Sequence, residues 1–408
     1  MTPYKVQLLN TDETAELLSL IGADARSLPF FDNKRATESL FLSDVNINAA
    51  NVIKQEMLSL GGDAAVCAGA INCAAEKSDI VLFGSKKQLS LFADKISMMG
   101  WWGLTEIAAA VRHALSTLMS RKYVMELPHG DDLSFGTKTH IMGIVNLTDD
   151  SFFSESRTFG NADKAVERAV KLAEEGATIL DLGAESTRPG SHRVPEEQEL
   201  SRMAEAVKSI RKALPGIPLS IDTTRASVAE AAMEAGADII NDVSGLTFDE
   251  GIADVAAKYR APLVIMHMRG TPETMQSMCS YDNLLKEITT FFDETIKKAV
   301  EHGVERSRII LDPGFGFAKD TNQNLFLAKN ANAFDTFGCP LLYGVSRKGF
   351  IGRITHGAPA PQESLEGTLA TTALFTWAGV DIIRVHDVLE NVRVVKMIEA
   401  IKGSNDGR

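Results

Sequence analysis

From residue 140 onward the chain repeats one pattern eight times, and that repetition limits the folds open to it more than any other feature. The apolar runs are HIMGIVNL, TILDLGAES, PLSIDT, DIINDVS, PLVIMHM, RIILDPG, PLLYGVS and IIRVHDV. Helical segments separate them, among them DKAVERAVKLAEEG, EQELSRMAEAVKSIRKAL, EGIADVAAKY, YDNLLKEITTFFDETIKKAVEHG and SLEGTLATTALFTWAG. Short apolar strands alternating with helices give parallel pairing, because each crossover helix returns the chain to the same end of the sheet. Eight such units over about 270 residues predict an α/β fold of the (β/α)8 barrel type. A doubly wound open sheet is the alternative. It ranks second because the eight repeats carry no nucleotide-binding fingerprint.

The unit at 218–245 shows the logic locally. Its first run closes on Asp222, Thr223 or Thr224 can cap the helix that follows, and Val228, Ala231, Ala232 and Ala235 form a narrow apolar stripe. Gly236 stops the helix, and the next run delivers Asn241 and Asp242. Parallel neighbours then project Asp222 and Asn241 at the same rim, where two polar groups mark a ligand site.

The first 120 residues alternate differently. YKVQLL, ESLFLSDV, AAVCAG and DIVLFG read as strands; TDETAELLSLIG, NAANVIKQEMLSLGG, KQLSLFADKISMMG and 104–119 read as helices. A chain of 408 residues is long for one domain, so residues 1–125 are expected to form a smaller α/β accessory domain and 135–403 the barrel. The polar stretch 120–138 marks the boundary. No catalytic constellation stands out in the first segment.

Composition excludes several functions. Against 42 Lys+Arg stand 54 Asp+Glu, a net charge of −12 that argues against a nucleic-acid or anionic-membrane surface. No apolar stretch reaches the roughly 18 residues a membrane span needs. Asp12 and Glu13 interrupt any secretory signal, and four scattered cysteines lack zinc-like pairing. A cytoplasmic protein with free thiols is the expectation.

At or just after the carboxyl ends of the eight runs stand Asn146, Thr187–Arg188, Asp222, Asn241, His267, Asp312, Ser346–Lys348 and Arg384–His386. A single strand-end Asp is commonly a helix cap. Eight ends agreeing is not explained by capping, and barrel enzymes build their sites on that face. SRKG (346–349) and RVHD (384–387) follow strands seven and eight, where barrels bind phosphate. Ser346, Arg347, Lys348, Arg384 and His386 form a basic cluster in an acidic chain, with Arg347 ranked below Lys348 and Arg384 as a surface residue. DPGFGFAKD (312–320) lacks a dinucleotide loop's third glycine and reads as a rigid turn presenting Phe315 or Phe317 to a flat ligand.

In combination and in order, IMGIVNLTDDSF, LGAESTRPGS, SIDTTR, NDVSG, ILDPGFGFAK, GVSRKGFIG and RVHDV resemble dihydropteroate synthase. That family condenses a hydroxymethyl-dihydropterin diphosphate with 4-aminobenzoate and releases pyrophosphate. The resemblance implies that Asn146 meets magnesium and the diphosphate, and that Thr187 and Arg188 shape the aminobenzoate site. It implies that Asp222, Asn241, Asp312 and Lys348 read the pterin edge, with Val243 and Met266 as apolar walls. Phe317 and Ser346 match positions near the aminobenzoate, and Arg384 and His386 match diphosphate contacts. Asp222, Lys348 and Asp312 are the implied catalytic groups, Mg²⁺ the implied cofactor and a homodimer the implied assembly. The partners are small molecules, without nucleic acid or membrane. The chain departs from the family in two ways: Asp149 replaces the usual proline of the first loop, and some 120 residues precede the barrel. A different arylamine, a modified pterin, a corrinoid-linked methyltransferase and a non-catalytic pterin-binding module are the competing readings.

Overall fold

The computed structural model describes residues 37–119, 123–147, 161–184, 194–359 and 364–404, with Arg26. The chain divides into two compact units, 1–120 with 404–408, and 121–403.

In the first unit β1 (Glu38–Asn46), β2 (Asp63–Ala65) and β3 (Lys77–Gly84) form an antiparallel sheet in the order β1-β3-β2. Period-two alternation places Leu40, Ile80 and Leu82 on its buried face. Helices α1 (Ile47–Ser59), α2 (Lys86–Ile96) and α3 (Leu104–Met119) cover that face with Ile53, Met57, Phe92 and Leu104. Asn46 caps α1 through the Asn48 N–H, and Ser85 and Gln88 cap α2 reciprocally. The expected strand at AAVCAG is shorter than read, only Asp63–Ala65, and YKVQLL and TDETAELLSLIG lie outside the described residues.

The second unit opens with a hairpin of β4 (Tyr123–Met125) and β5 (Leu133–Phe135). Eight parallel strands follow: β6 (His140–Asn146), β7 (Ile179–Gly183), β8 (Leu219–Asp222), β9 (Ile239–Asp242), β10 (Leu263–Met266), β11 (Ile309–Asp312), β12 (Leu342–Tyr343) and β13 (Ile382–Val385). Their order is β11-β10-β9-β8-β7-β6-β13-β12, and a parallel bridge between Leu311 and Leu341 joins the two ends. The eight runs are thus a closed (β/α)8 barrel, and the open-sheet alternative is excluded. The surrounding helices are α4 (Asn161–Glu174), α5 (Glu196–Ala213), α6 (Ala226–Ala235), α7 (Gly251–Tyr259), α8 (Leu284–Glu301), α9 (Thr321–Lys329), α10 (Gly349–His356), α11 (Leu365–Ala378) and α12 (Val388–Lys402).

The boundary between the units falls at the start of the 120–138 stretch, and residues 123–135 within it form a hairpin of the barrel unit. Met125, Leu133 and Phe135 of the hairpin pack against Met142, Ile179, Ile239, Val264, Ile310, Leu342 and Ile382, closing the amino-terminal mouth of the barrel. Asp238, fully buried, fixes the connection: one carboxylate oxygen accepts from the His129 and Gly130 N–H groups, each at 2.8 Å. The other accepts from the Leu219 N–H at 2.8 Å and from Arg211. Apolar residues are sparse in 120–138, and only tertiary packing shows that they face inward.

The cap of α6 also differs from expectation. Thr223 Oγ1 donates instead to Glu199 at 2.8 Å, and the Ala226 N–H is capped from a neighbouring βα loop by Asp249 Oδ2 at 2.7 Å. The helix buries Val228, Ala229, Ala232 and Met233, so its inner stripe is rotated from the one read by spacing. Gly236 ends it in the left-handed conformation, as expected.

Candidate active site

Inward positions along a strand recur every second residue, and here they change character from bottom to rim. Ile179 is followed inward by Asp181, Ile239 by Asn241, Ile310 by Asp312 and Ile382 by Arg384, with one more step leading to His386. The apolar members form the buried bottom layer. Register places Asp181 beside Ser220, and Asp222 beside Asn241. The barrel interior therefore turns polar toward its carboxyl end.

Asp181 is the centre of that polar layer. It is fully buried, and it accepts from Ser220 Oγ at 2.6 Å, from Asn241 Nδ2 at 3.3 Å and from Arg384 Nε at 2.6 Å. Arg384 reaches on to Asp222, with Nη2–Oδ2 at 2.8 Å. A planar guanidinium bridging two carboxylates suits this geometry. Burial works against the charge of Arg384, but Asp181 and Asp222 outweigh it and hold its pKa above the ordinary value. Asp222 moves the other way: burial pushes its pKa up to about 7, Arg384 opposes the rise, and Asp181, Glu199 and Asp242 add to it. The guanidinium is shared, so desolvation wins at Asp222.

Across the pocket, Asp312 accepts from the Gly314 N–H at 2.7 Å, and burial raises its pKa while Lys348 opposes the rise. Lys348 donates to the Phe315 carbonyl, and its Nζ lies 4.5 Å from the centre of the Phe317 ring. Burial lowers the pKa of Lys348 to about 8, against the pull of Asp312 and Asp222. Val243, Met266 and Met268 form a separate buried apolar cluster on which Phe317 packs. Of the two aromatics expected to face a ligand, Phe315 is instead a core residue, edge-on to Tyr343 at 5.2 Å. The glycines on either side of it, Gly314 and Gly316, both have left-handed φ.

Ser346 and His386 meet at the rim. The Ser346 hydroxyl lies 3.1 Å from His386 Nδ1 and accepts from the His386 backbone N–H at 3.2 Å. Arg168 of α4 donates to the His386 carbonyl at 3.1 Å. Arg347, half-exposed and left-handed, is engaged in a bidentate pair with Asp387, Nε–Oδ2 3.1 Å and Nη2–Oδ1 2.5 Å. Asn146 ends β6 half-buried, in register with Gly183. Thr187, Arg188 and Asp149 lie outside the described residues.

The structure thus brings Asp222, Asn241, Asp312, Lys348 and Arg384 together at the carboxyl end of the barrel. The Val243, Met266 and Phe317 cluster meets Lys348 through the Phe317 ring, and Ser346 and His386 are paired after the neighbouring strands. Asp181, Ser220 and Lys319 were not singled out by the strand-end argument, because it looked only at the ends. The inward period shared with Ile179 was the available signal for Asp181. Chemically, the pocket offers carboxylate and amide acceptors beside an apolar plane, which suits a flat heterocycle with an N–H edge. Its cations suit an anionic substituent.

The pterin binding enzyme family matches residues 142–386. The dihydropteroate synthase of Synechocystis sp. is 44% identical over 276 residues, 67% of this chain and 94% of that protein. A probable bifunctional folylpolyglutamate synthase/dihydropteroate synthase of Haloferax volcanii is 33% identical over 381 residues, 91% of this chain and 44% of that protein. The structure of Xanthomonas albilineans dihydropteroate synthase with 4-aminobenzoic acid superposes with a TM-score of 0.62 at 37% identity, covering 68% of this chain and all of that one. The chain, with its polar-rimmed barrel and these relatives, belongs to the pterin binding enzymes and, within them, to the dihydropteroate synthases.

Proposed function

We propose that the pocket seats a dihydropterin through Asp222, Asn241, Asp312 and Lys348 and holds its diphosphate near Arg384 and His386. The reaction is that of a dihydropteroate synthase: 6-hydroxymethyl-7,8-dihydropterin diphosphate and 4-aminobenzoate give 7,8-dihydropteroate and pyrophosphate. The bond from the exocyclic methylene to the diphosphate oxygen breaks, and pyrophosphate leaves with the electron pair. The arylamine nitrogen then bonds the methylene carbon and loses a proton. The observation that carries this reading is the juxtaposition of two buried carboxylates, Asp222 and Asp312, with the Asn241 amide beside an apolar wall. Carboxylates accept from the pterin's N–H edge, and their fixed charge stabilises the positive charge that develops at the methylene. Lys348 and Arg384 oppose the effect of burial and favour the ionised form of those carboxylates, and Arg384 meets the leaving group. Phe317 and Ser346 border the arylamine, and Thr187 and Arg188 complete its site.

Among the described residues no group of three or more His, Cys, Asp or Glu side chains is placed to hold a metal ion. Asn146 contributes one amide oxygen. Such a sparse donor set would suit a Mg²⁺ brought in with the diphosphate substrate, with Asn146 as its contact from the protein. When bound, it would neutralise charge on the departing pyrophosphate. Asn146, Arg384 and His386 would orient the same group.

A homodimer is supported by apolar side chains exposed on neighbouring helices: Phe326 on α9, Ile354 on α10, Leu374 and Trp377 on α11. Four free thiols accord with a cytoplasmic location, and no helix among the described residues is long and apolar enough to cross a membrane. The deciding assay mixes pterin diphosphate, 4-aminobenzoate and Mg²⁺ with the enzyme and follows pyrophosphate. Release that requires the amine supports the reading, whereas release only with another arylamine, or none at all, sinks it.

A further inference from the structure

The loop after β11 has an unusual way of satisfying its backbone. Gly314, Gly316 and Ala318 all have left-handed φ, at 70°, 78° and 48°, so the chain cannot form a regular hydrogen-bonded ladder there. Six consecutive carbonyls instead accept from side chains. Gly314 and Phe317 accept from Lys319 Nζ, each at 3.0 Å, and Phe315 accepts from Lys348. Gly316 accepts from Gln276 at 3.1 Å, Ala318 from the Tyr281 hydroxyl at 2.9 Å, and Lys319 from Asn324 Nδ2 at 3.0 Å.

Lys319 is the central donor. Its side chain is buried, 1% exposed, and its third N–H meets His267 Nδ1 at 3.0 Å, with the His267 carbonyl at 3.4 Å. Burial and the nearby Lys319 and Arg269 drive the His267 pKa down to about 2, so the ring stays neutral and Nδ1 can accept. Burial also draws the Lys319 pKa downward, opposed by Asp312. Three well-placed acceptors saturate an ammonium group, which is how a lysine is tolerated there. The mechanism uses none of this, yet the loop so held carries Phe317 and the carbonyl that anchors Lys348.

We propose that Lys319 is a positioning residue for the arylamine substrate: its ammonium group clamps the Gly314 and Phe317 carbonyls to the end of β10, and so fixes the Phe317 ring against which the arylamine packs. Removing the ammonium takes the side-chain donor from both carbonyls at once, leaving the Gly314 carbonyl only the Phe317 N–H at 3.1 Å and the Phe317 carbonyl without its Lys319 bond. Of the pterin groups, Asp222 and Asn241 stand on β8 and β9 away from this loop, while Asp312 and Lys348 keep their own bonds to the Gly314 N–H and the Phe315 carbonyl, neither of which Lys319 makes. This inference rests on the reading that Phe317 borders the arylamine.

The test is steady-state kinetics on three variants of the full chain, with each substrate varied in turn and the melting temperature recorded. Lys319→Met keeps the length of the side chain and loses the donors. We expect its KM for 4-aminobenzoate to rise about tenfold and its KM for the pterin diphosphate to change by less than about threefold. Tyr281→Phe deletes one oxygen, leaves the core filled and frees only the Ala318 carbonyl; it should show the same split at smaller size, and it decides the matter if Lys319→Met does not fold. Phe317→Ala reports on the underlying reading. If Phe317→Ala raises the 4-aminobenzoate KM and the other two variants do not, the positioning role of Lys319 is overturned and the site reading stands. If Phe317→Ala leaves that KM unchanged, the site reading is wrong and the inference goes with it. A Lys319→Met enzyme with a lower melting temperature and equal rises in both KM values has lost only stability, which also overturns the proposal.

Discussion

Two residues with displaced pKa values, Asp222 and Lys348, lie within electrostatic reach of one another, and on the pterin reading they bound the working pH. Burial raises Asp222 to about 7 and lowers Lys348 to about 8. The pterin reading needs Asp222 ionised, to accept, and Lys348 protonated, to hold Asp312 and the loop. A bell-shaped profile of kcat/KM with its maximum between those values is expected, and Lys348→Arg should move the alkaline limb out of range. A flat profile from pH 6 to about 9 would remove these two groups from the titration. The stability sign follows from the same shift. As pH rises from 3.8 to about 7, the unfolded chain gives up the Asp222 proton while the folded chain keeps it, so Asp222 makes folding less favourable through that window. Asp222→Asn should flatten that slope in thermal melts of the ligand-free enzyme, while costing about 2–5 kcal/mol in transition-state stabilisation. The amide keeps the shape but presents a donor where the ligand also donates. Activity within a few-fold of wild type would take Asp222 off the catalytic list.

Among the elements, the loop after β11 is the most tightly specified. A Cβ on Gly314 would lie 2.0 Å from the His267 carbonyl oxygen, a contact with backbone that cannot yield. On Gly316 it would lie 2.9 Å from Lys348 Cδ, part of a flexible chain. Gly314→Ala is therefore expected to cost about 3 kcal/mol or more in folding stability, as overpacking combined with a left-handed backbone does. Gly316→Ala should cost less stability and more activity, because Lys348 is what moves. Denaturant titration with kinetics on both variants checks the ordering. Equal stability losses would mean that the loop relaxes as a unit.

The whole molecule divides at residue 120, and the hairpin beyond it belongs with the barrel. Removing residues 1–120 leaves Met125, Leu133 and Phe135 in place, and the barrel should fold and retain synthase activity. Removing 1–138 exposes the bottom layer and orphans two acceptor positions on Asp238. Three fully buried apolar side chains are worth on the order of 5 kcal/mol together, much of a domain's net stability. That product should be insoluble or molten, as circular dichroism and solubility would report. If the longer deletion folds as well as the shorter, the hairpin is an ornament. The Haloferax relative aligns over 91% of this chain, so the first unit is shared beyond the barrel-only synthases.

What the sequence determined alone is whatever a strand or helix needs only its own neighbours to express. The eight apolar runs, the glycine stop at Gly236 and the polar residues at strand ends follow from local periodicity, and they specified the barrel and placed Asp222, Asn241, Asp312, Lys348 and Arg384 at one rim. The motif resemblance then named the chemistry. Tertiary structure decided what depends on groups distant in sequence. Asp249 caps α6 from another loop, and Arg384 finds Asp181 across 203 positions. Phe315 packs in the core and Phe317 against the Val243, Met266 and Met268 cluster in a loop whose left-handed residues Gly314, Gly316 and Ala318 break the strand period, a choice periodicity cannot express. The hairpin was hidden for a related reason. Two three-residue strands carry almost no periodic signal, and their burial exists only because the barrel offers an apolar mouth to close.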